Sequence, residues 1–272
     1  MVEQIDDSSL ILTWKKVISQ SLYNYVYITE KNNWKEIEIE AKLGKMLFQG
    51  ECEEKYGNLK NSFLVSGKFR NTRENFLTFD SSLSKEDFFS LFNVISKEFS
   101  NKESKIEGPK KSVDYDGRGY RKTIIHGNVE IIKKLSKSNY DIRNCGKDFR
   151  FSISREKKYN NNIQITLSGY VREKSRISFY YDLFVLEFTI VKSIYKNTVK
   201  SVKYEVELEY FKIRENAAIF ENNYLDFEKI ILEFCDKVLN LYEIIKENNK
   251  NNNIAEMFSN NINLLEEKFG IC

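Results

Sequence analysis

From about Trp34 to Phe211 apolar and polar residues alternate with a period of two, and several of the polar faces so defined carry charge of a single sign. The alternating segments fall at 35–44, 75–81, 111–116, 119–126, 128–135, 148–157, 163–171, 173–181, 183–192 and 202–211, with Tyr159–Asn162 reading as a hairpin turn. Pro109 is the only proline, so little interrupts these strands. Strands that follow one another without intervening helices pair antiparallel, and so many of them curl into a barrel or strongly curved sheet.

Helical spacing lies on either side and once within it. Leu10, Trp14, Val17, Ile18, Leu22 and Tyr25 predict a helix over 8–27, with Asp6-Asp7-Ser8 as its start signal. A second is expected over Lys85–Glu98, begun by Ser84. Phe227, Ile230, Ile231, Phe234, Val238 and Leu241 line one face of a third over 226–245. A polar tract, 246–253, leads to a last helix carrying Ile254, Met257, Phe258, Ile262, Leu265 and Phe269. The pattern describes one α+β domain.

The charged faces are the informative part. On a strand alternate side chains share a face, so Glu36, Glu38, Glu40 and Lys42 lie together opposite Ile37, Ile39, Ala41 and Leu43. Glu205, Glu207 and Glu209 repeat the arrangement opposite Tyr204, Val206, Leu208 and Tyr210. Between them in sequence, Arg172, Lys174, Arg176 and Ser178 make a basic face. A solvated face mixes signs, because like charges side by side repel. Acids on two strands and bases on a third describe a binding interior. Carboxylate oxygens suit Mg²⁺ or Mn²⁺, and Arg and Lys suit phosphate oxygens. Together they are the equipment of phosphoryl transfer to water.

Other chemistries are excluded. The one histidine, His126, ends an apparent strand and reads as structural, so no H-E-x-x-H or multi-histidine metal site exists. There is neither a G-x-x-x-x-G-K-[ST] loop nor a G-x-G-x-x-G. Cys52, Cys145, Cys235 and Cys272 are widely spaced without a C-x-x-C pair, which fits a reduced intracellular compartment. No apolar run approaches the roughly 18 residues of a membrane span, and no signal peptide opens the chain. A net charge of +3 is too small to mark a protein that coats nucleic acid.

These motifs resemble the RNA 5′-triphosphatases of the fungal and protozoan mRNA-capping type, within the triphosphate tunnel metalloenzyme family. The likeness covers about Glu36 to Tyr210 and rests on E-x-E-x-K at Glu38, Glu40 and Lys42, and on E-x-E-x-E at Glu205, Glu207 and Glu209. It rests also on R-x-K-x-R at Arg172, Lys174 and Arg176, and on D-x-R-x-S-I-x-x-E at Asp148, Arg150, Ser152, Ile153 and Glu156. The resemblance implies an antiparallel β-tunnel of about eight strands with a charged interior, flanked by helices. It implies one tunnel domain over 1–272, with an N-terminal helix at 8–27, tunnel strands at 34–211 and C-terminal helices at 226–270. The implied activity is Mg²⁺- or Mn²⁺-dependent removal of the γ-phosphate from triphosphate-ended nascent RNA, the first step of mRNA capping, in the nucleus. Carried over residue by residue, Glu38, Glu40 and Glu209 bind the metal, and Glu156 positions or deprotonates water with help from Glu207. Arg121, Lys174 and Arg176 hold the terminal phosphate, and Arg172 supports the wall. Either Lys133 or Lys134 adds a phosphate contact. The implied partners are the RNA, an mRNA guanylyltransferase and a second copy of the chain, with no membrane.

The sequence departs from the family at three places. Its R-x-D-x-T strand reads Val185-Leu186-Glu187-Phe188-Thr189, so an arginine is missing and Glu187 replaces aspartate. Leu43 follows the lysine of the first strand where an aromatic is usual, and no tryptophan-containing tether to the guanylyltransferase precedes the first helix. The alternatives are a tunnel enzyme acting on tripolyphosphate or free nucleotides, and a non-catalytic β-rich scaffold.

Overall fold

The architecture comes from a computed structural model that describes residues 7–29, 31–49, 63–66, 76–100, 105–117, 119–143, 148–160, 169–214, 223–250 and 266–270. In chain order the elements begin with α1 (Asp7–Ile28), β1 (Ile37–Gln49), β2 (Phe63–Ser66), β3 (Phe76–Asp80), β4 (Ser82–Leu83) and α2 (Lys85–Ser100). Then come β5 (Ile106–Gly117), β6 (Tyr120–Ile125), β7 (Asn128–Arg143), β8 (Asp148–Tyr159), β9 (Tyr170–Tyr180), β10 (Val185–Tyr195), β11 (Thr198–Glu209) and α3 (Tyr224–Lys250). Eight strands pair antiparallel around a ring, β1-β8-β7-β6-β5-β9-β10-β11, and β11 returns to β1 with Glu40 opposite Glu209 and Lys42 opposite Glu207. The closed barrel is the tunnel that the motifs imply. Closure removes the exposed sheet edges that would otherwise template aggregation.

Alternation divides the strands between two environments. Ile37, Ile39, Ala41 and Leu43 of β1, Phe149, Phe151 and Ile153 of β8, and Leu186, Phe188 and Ile190 of β10 are buried outside the barrel against the helices. α1 offers Trp14, Ile18, Leu22 and Val26, with the Trp14 ring 5.9 Å from Phe151. Val17, expected on that stripe, is 40% exposed, because the buried row follows i, i+4 spacing through Val26. α2 sets Phe88 and Phe92 edge-on to Phe188 at 5.4 and 5.3 Å. α3 buries Phe227, Ile231, Phe234 and Val238. The apolar faces of the strands thus demand a helical pedestal, which leaves their polar faces to the interior.

Local chemistry sets the boundaries. Ser84 caps α2: its hydroxyl accepts from the Asp87 amide at 3.1 Å and donates to the Asp87 carboxylate at 2.6 Å. α3 starts two residues before the expected Asp226 and runs through the polar tract to Lys250. The proposed last helix falls mostly outside the described residues, but Phe269 is buried against Phe92 at 5.1 Å. The expected strand 163–171 and the turn at 159–162 also lie largely outside them. Gly44 marks where β1 leaves β8 and pairs with β3 from Lys45 onward. A Cβ there would strike the Asp80 carbonyl oxygen and the Phe79 ring. Pro109 does break the strand pattern locally: β5 slips register between Glu107 and Lys110, and Gly108 sits at φ 125 against the Arg176 carbonyl. His126 and Gly127, both at positive φ, turn the β6–β7 hairpin, a structural place for the sole histidine. Cys235 is a buried free thiol, and the other three cysteines lie outside the described residues.

Candidate active site

The polar faces converge on a cavity of about 420 Å³ that runs inside the barrel. Glu38, Glu40, Arg121, Arg172, Lys174, Arg176, Glu187, Glu207 and Glu209 all line it. Glu156 joins them from β8, its Oε1 3.0 Å from Lys134 Nζ and 3.5 Å from Arg121 Nη2. Every proposed site residue therefore meets in one chamber, on strands that are far apart in sequence.

Arg176 is braced by three neighbours. Its Nε donates to Thr189 Oγ1 at 3.0 Å, Nη1 lies 2.5 Å from Glu187 and Nη2 lies 3.8 Å from Glu207. Burial opposes its charge, but these carboxylates outweigh burial and hold its pKa above the ordinary arginine value. Glu187 thus fills the role of a counter-ion on the strand that departs from the family pattern. Lys174 pairs with Asp114 at 2.7 Å. Burial, with Arg176 and Arg172 on either side, pulls its pKa below the usual lysine value despite that partner. Arg172 lies further along β9, 3.1 Å from Asp116.

On the acidic side Lys42 Nζ lies 2.5 Å from Glu207 and 3.2 Å from Glu40. Burial works to raise the pKa of Glu207, but Lys42 and Arg176 overcome it and keep the carboxyl far below its usual range. Lys134 Nζ sits between Glu38 at 2.8 Å and Glu40 at 3.9 Å, and Ser154 donates to the same Glu38 oxygen at 3.0 Å. Glu209 has the opposite fate from Glu207. Burial, then Glu187 and Glu38 nearby, push its pKa up to about 8.

Two expectations need correction or completion. Glu36, which alternation groups with Glu38 and Glu40, closes a 3-10 turn (Lys31–Glu36) and accepts from Arg155 Nε at 2.8 Å, outside the chamber. The turn forms because the Trp34 indole donates to the Val26 and Thr29 carbonyls at 3.2 and 2.8 Å, tying it to the end of α1. Of the two lysines left open, Lys134 faces the chamber, while Lys133 covers the Tyr120 ring at 4.8 Å. Sequence reasoning missed Asp114, which is buried and receives both Lys174 and the Thr123 hydroxyl (2.8 Å). Its only signal was its parity with Ser112 on a strand of mixed composition.

A sequence model of the family described as the mRNA capping enzyme, beta chain (mRNA triphosphatase), matches residues 12–247. This chain belongs to that family. It is an RNA 5′-triphosphatase of the tunnel type, which removes the γ-phosphate of triphosphate-ended RNA in mRNA capping. No curated protein matches it. Among solved structures, the S. pombe Pct1 RNA triphosphatase is similar with a TM-score of 0.62 at 20% identity, over 84% of this chain and 91% of that one. Pct1 in complex with the Spt5 CTD gives 0.61 at 18% identity, over 84% and 92%. The Mimivirus capping enzyme triphosphatase gives 0.48 at 14%, over 86% and 97%. The Pct1 structures share the fold of this triphosphatase, and the family match carries its chemistry.

Among the described residues no three carboxylates stand close enough to form a ready-made metal cage. The ammonium groups of Lys134 and Lys42 occupy the space between them. The donor chemistry nonetheless suits a hard cation: Glu38, Glu40 and Glu209 offer carboxylate oxygens to one chamber, and burial and its neighbours drive Glu209 toward its neutral form. The residues fit a divalent ion such as Mg²⁺ or Mn²⁺.

Proposed function

We propose that the triphosphatase works with Mg²⁺ or Mn²⁺ held by Glu38, Glu40 and Glu209, and that Arg121, Lys174 and Arg176 receive the γ-phosphate. The observation that carries this reading is that a basic strand, β9, and two glutamate strands, β1 and β11, turn their charged faces into one closed barrel. When bound, the metal polarises phosphate oxygens and offsets the charge that develops on them. The remaining work falls to the chain. Arg176 presents a pre-oriented fork, fixed by Thr189 and Glu187. Lys174 adds a point charge that Asp114 keeps in place. Lys134, held among Glu38, Glu40 and Glu156, offers an ammonium to a phosphate oxygen. Glu156, set by Lys134 and Arg121, holds the attacking water and takes its proton. Glu207 anchors Lys42 and Arg176, which hold its pKa below the usual carboxylate range, so it serves this step as a charge more than as a base. Arg172 supports the wall and the outer phosphates.

The same proposal puts the chain in the nucleus, on nascent RNA, followed by a guanylyltransferase that uses the diphosphate end. The membership in the capping family supports this, as does the complex of the relative Pct1 with the Spt5 CTD. A homodimer is the assembly to look for by sedimentation. The deciding assay measures phosphate release from triphosphate-ended RNA, tripolyphosphate and ATP in Mg²⁺ and in Mn²⁺. One phosphate per RNA end, abolished by chelator, is expected. Activity that survives excess chelator, or continued hydrolysis to a monophosphate end, contradicts the proposal.

A further inference from the structure

The geometry points to a base-stacking platform for single-stranded RNA at one mouth of the tunnel, formed by Tyr170 and Tyr195. Tyr170 opens β9 and lies directly opposite Tyr195, which ends β10. The two strands pair without a register shift from Tyr180 to Tyr170. Tyr170 therefore shares its face with Arg172, Lys174 and Arg176, and Tyr195 shares its face with Glu187 and Thr189. The rings stack at 5.2 Å between centroids and 28° between planes. Tyr170 is nevertheless 45% exposed. Lys196 lies over the Tyr195 ring at 5.4 Å, and with Asn197 it forms a two-residue hairpin at φ 49 and 59, a tight turn that fixes the mouth.

The run of bases on β9 distinguishes this mouth from the other. At the Tyr180 end the lining carries Glu107, Glu187 and Glu209, and the Tyr180 hydroxyl already donates to Glu107 at 2.9 Å. Lys105 covers its ring at 4.7 Å. Past the level of Arg176 toward Tyr170, β10 and β11 place Val191, Ser193, Ser201 and Lys203 on the inner register, where Asp80 of β3 pairs with Lys203 at 2.8 Å. The bases Lys174 and Arg172 continue outward on β9, paired with Asp114 and Asp116, and Glu130, which also lines this side, is held by Lys158. A polyanion held at Arg176 leaves along the bases of β9. Six residues of strand separate Arg176 from Tyr170, roughly 20 Å at about 3.4 Å per residue. That span exceeds a triphosphate and brings the first nucleosides to the rings, where aromatic faces with cations beside them bind single strands without reading sequence.

The inference rests on the reading of triphosphate-ended RNA as the substrate, and one experiment separates the two. Wild type, Tyr170→Ala, Tyr195→Ala and Tyr170→Phe are compared on a short triphosphate-ended oligoribonucleotide and on tripolyphosphate, in Mn²⁺. The alanine variants should lose roughly tenfold in kcat/KM on the oligoribonucleotide, mainly through KM. Their rates on tripolyphosphate should stay at the wild-type level, and Tyr170→Phe should behave as wild type on both. Alanine variants that match wild type on RNA, or that lose both activities in parallel, overturn the platform. Wild type that hydrolyses tripolyphosphate and leaves the RNA end intact refutes the substrate reading itself, before any variant is compared.

Discussion

Arg176 and Lys174 are neighbours on one inward face but carry different burdens. The guanidinium of Arg176 is held at its three nitrogens by Thr189, Glu187 and Glu207, whereas the ammonium of Lys174 has Asp114 as its ion-pair partner among the described residues. A lysine at 176 cannot reproduce that planar fork, so Arg176→Lys should lower kcat by about 10²–10³, the range for losing one charge-stabilising contact in a water-poor site. Lys174→Arg should be much milder. Steady-state kinetics on RNA ends check both, and wild-type kcat in Arg176→Lys contradicts the assigned role. Lys174 also predicts a pH effect. Because burial and the two flanking arginines lower its pKa, it loses its charge at a lower pH than an ordinary lysine. The grip on phosphate should therefore weaken on the alkaline side, visible as a rise in KM, and Lys174→Arg should remove that limb.

At the level of elements, β1 and β11 oppose like charges, with Glu40 directly across from Glu209, an arrangement that costs stability where no cation intervenes. The sign follows from Glu209. Its folded-state pKa is raised to about 8, so its contribution to stability is intact below the ordinary glutamate value and is lost as pH climbs through 8. In metal-free protein, Glu209→Gln should melt with wild type near pH 5 and above it near pH 9, by on the order of 1 kcal/mol. Melting curves in chelator test this, and a variant less stable than wild type at pH 9 contradicts it. The same elements mark how far the sequence could be read. Alternation alone placed Glu38, Glu40, Arg172, Lys174, Arg176, Glu207 and Glu209 on shared faces, because period two is a local property of a strand. It misplaced Glu36, since the turn that removes it from β1 depends on the Trp34 indole reaching α1. It could not choose between Lys133 and Lys134, because the choice depends on pairing with β8, where the register slips between Lys134 and Ser136. Asp114 was silent for a related reason: its significance lies across the sheet, at Lys174.

The molecule as a whole is a barrel turned polar side inward, with its apolar exterior covered by α1, α2 and α3. The fold thus holds an ionic interior together by packing on the outside, and the carboxylates face the chamber and its cations rather than the core. If that is their purpose, a divalent ion that binds the folded chain stabilises it by mass action, by about 2.7 kcal/mol at a hundredfold excess over Kd. The most direct measurement is thermal melting of wild type, Glu38→Gln and Glu209→Gln across a Mn²⁺ titration. Wild type should gain stability in a saturable manner, and each variant should gain much less while folding normally without metal. Equal stabilisation of all three by Mn²⁺ would contradict the assignment and place the metal elsewhere.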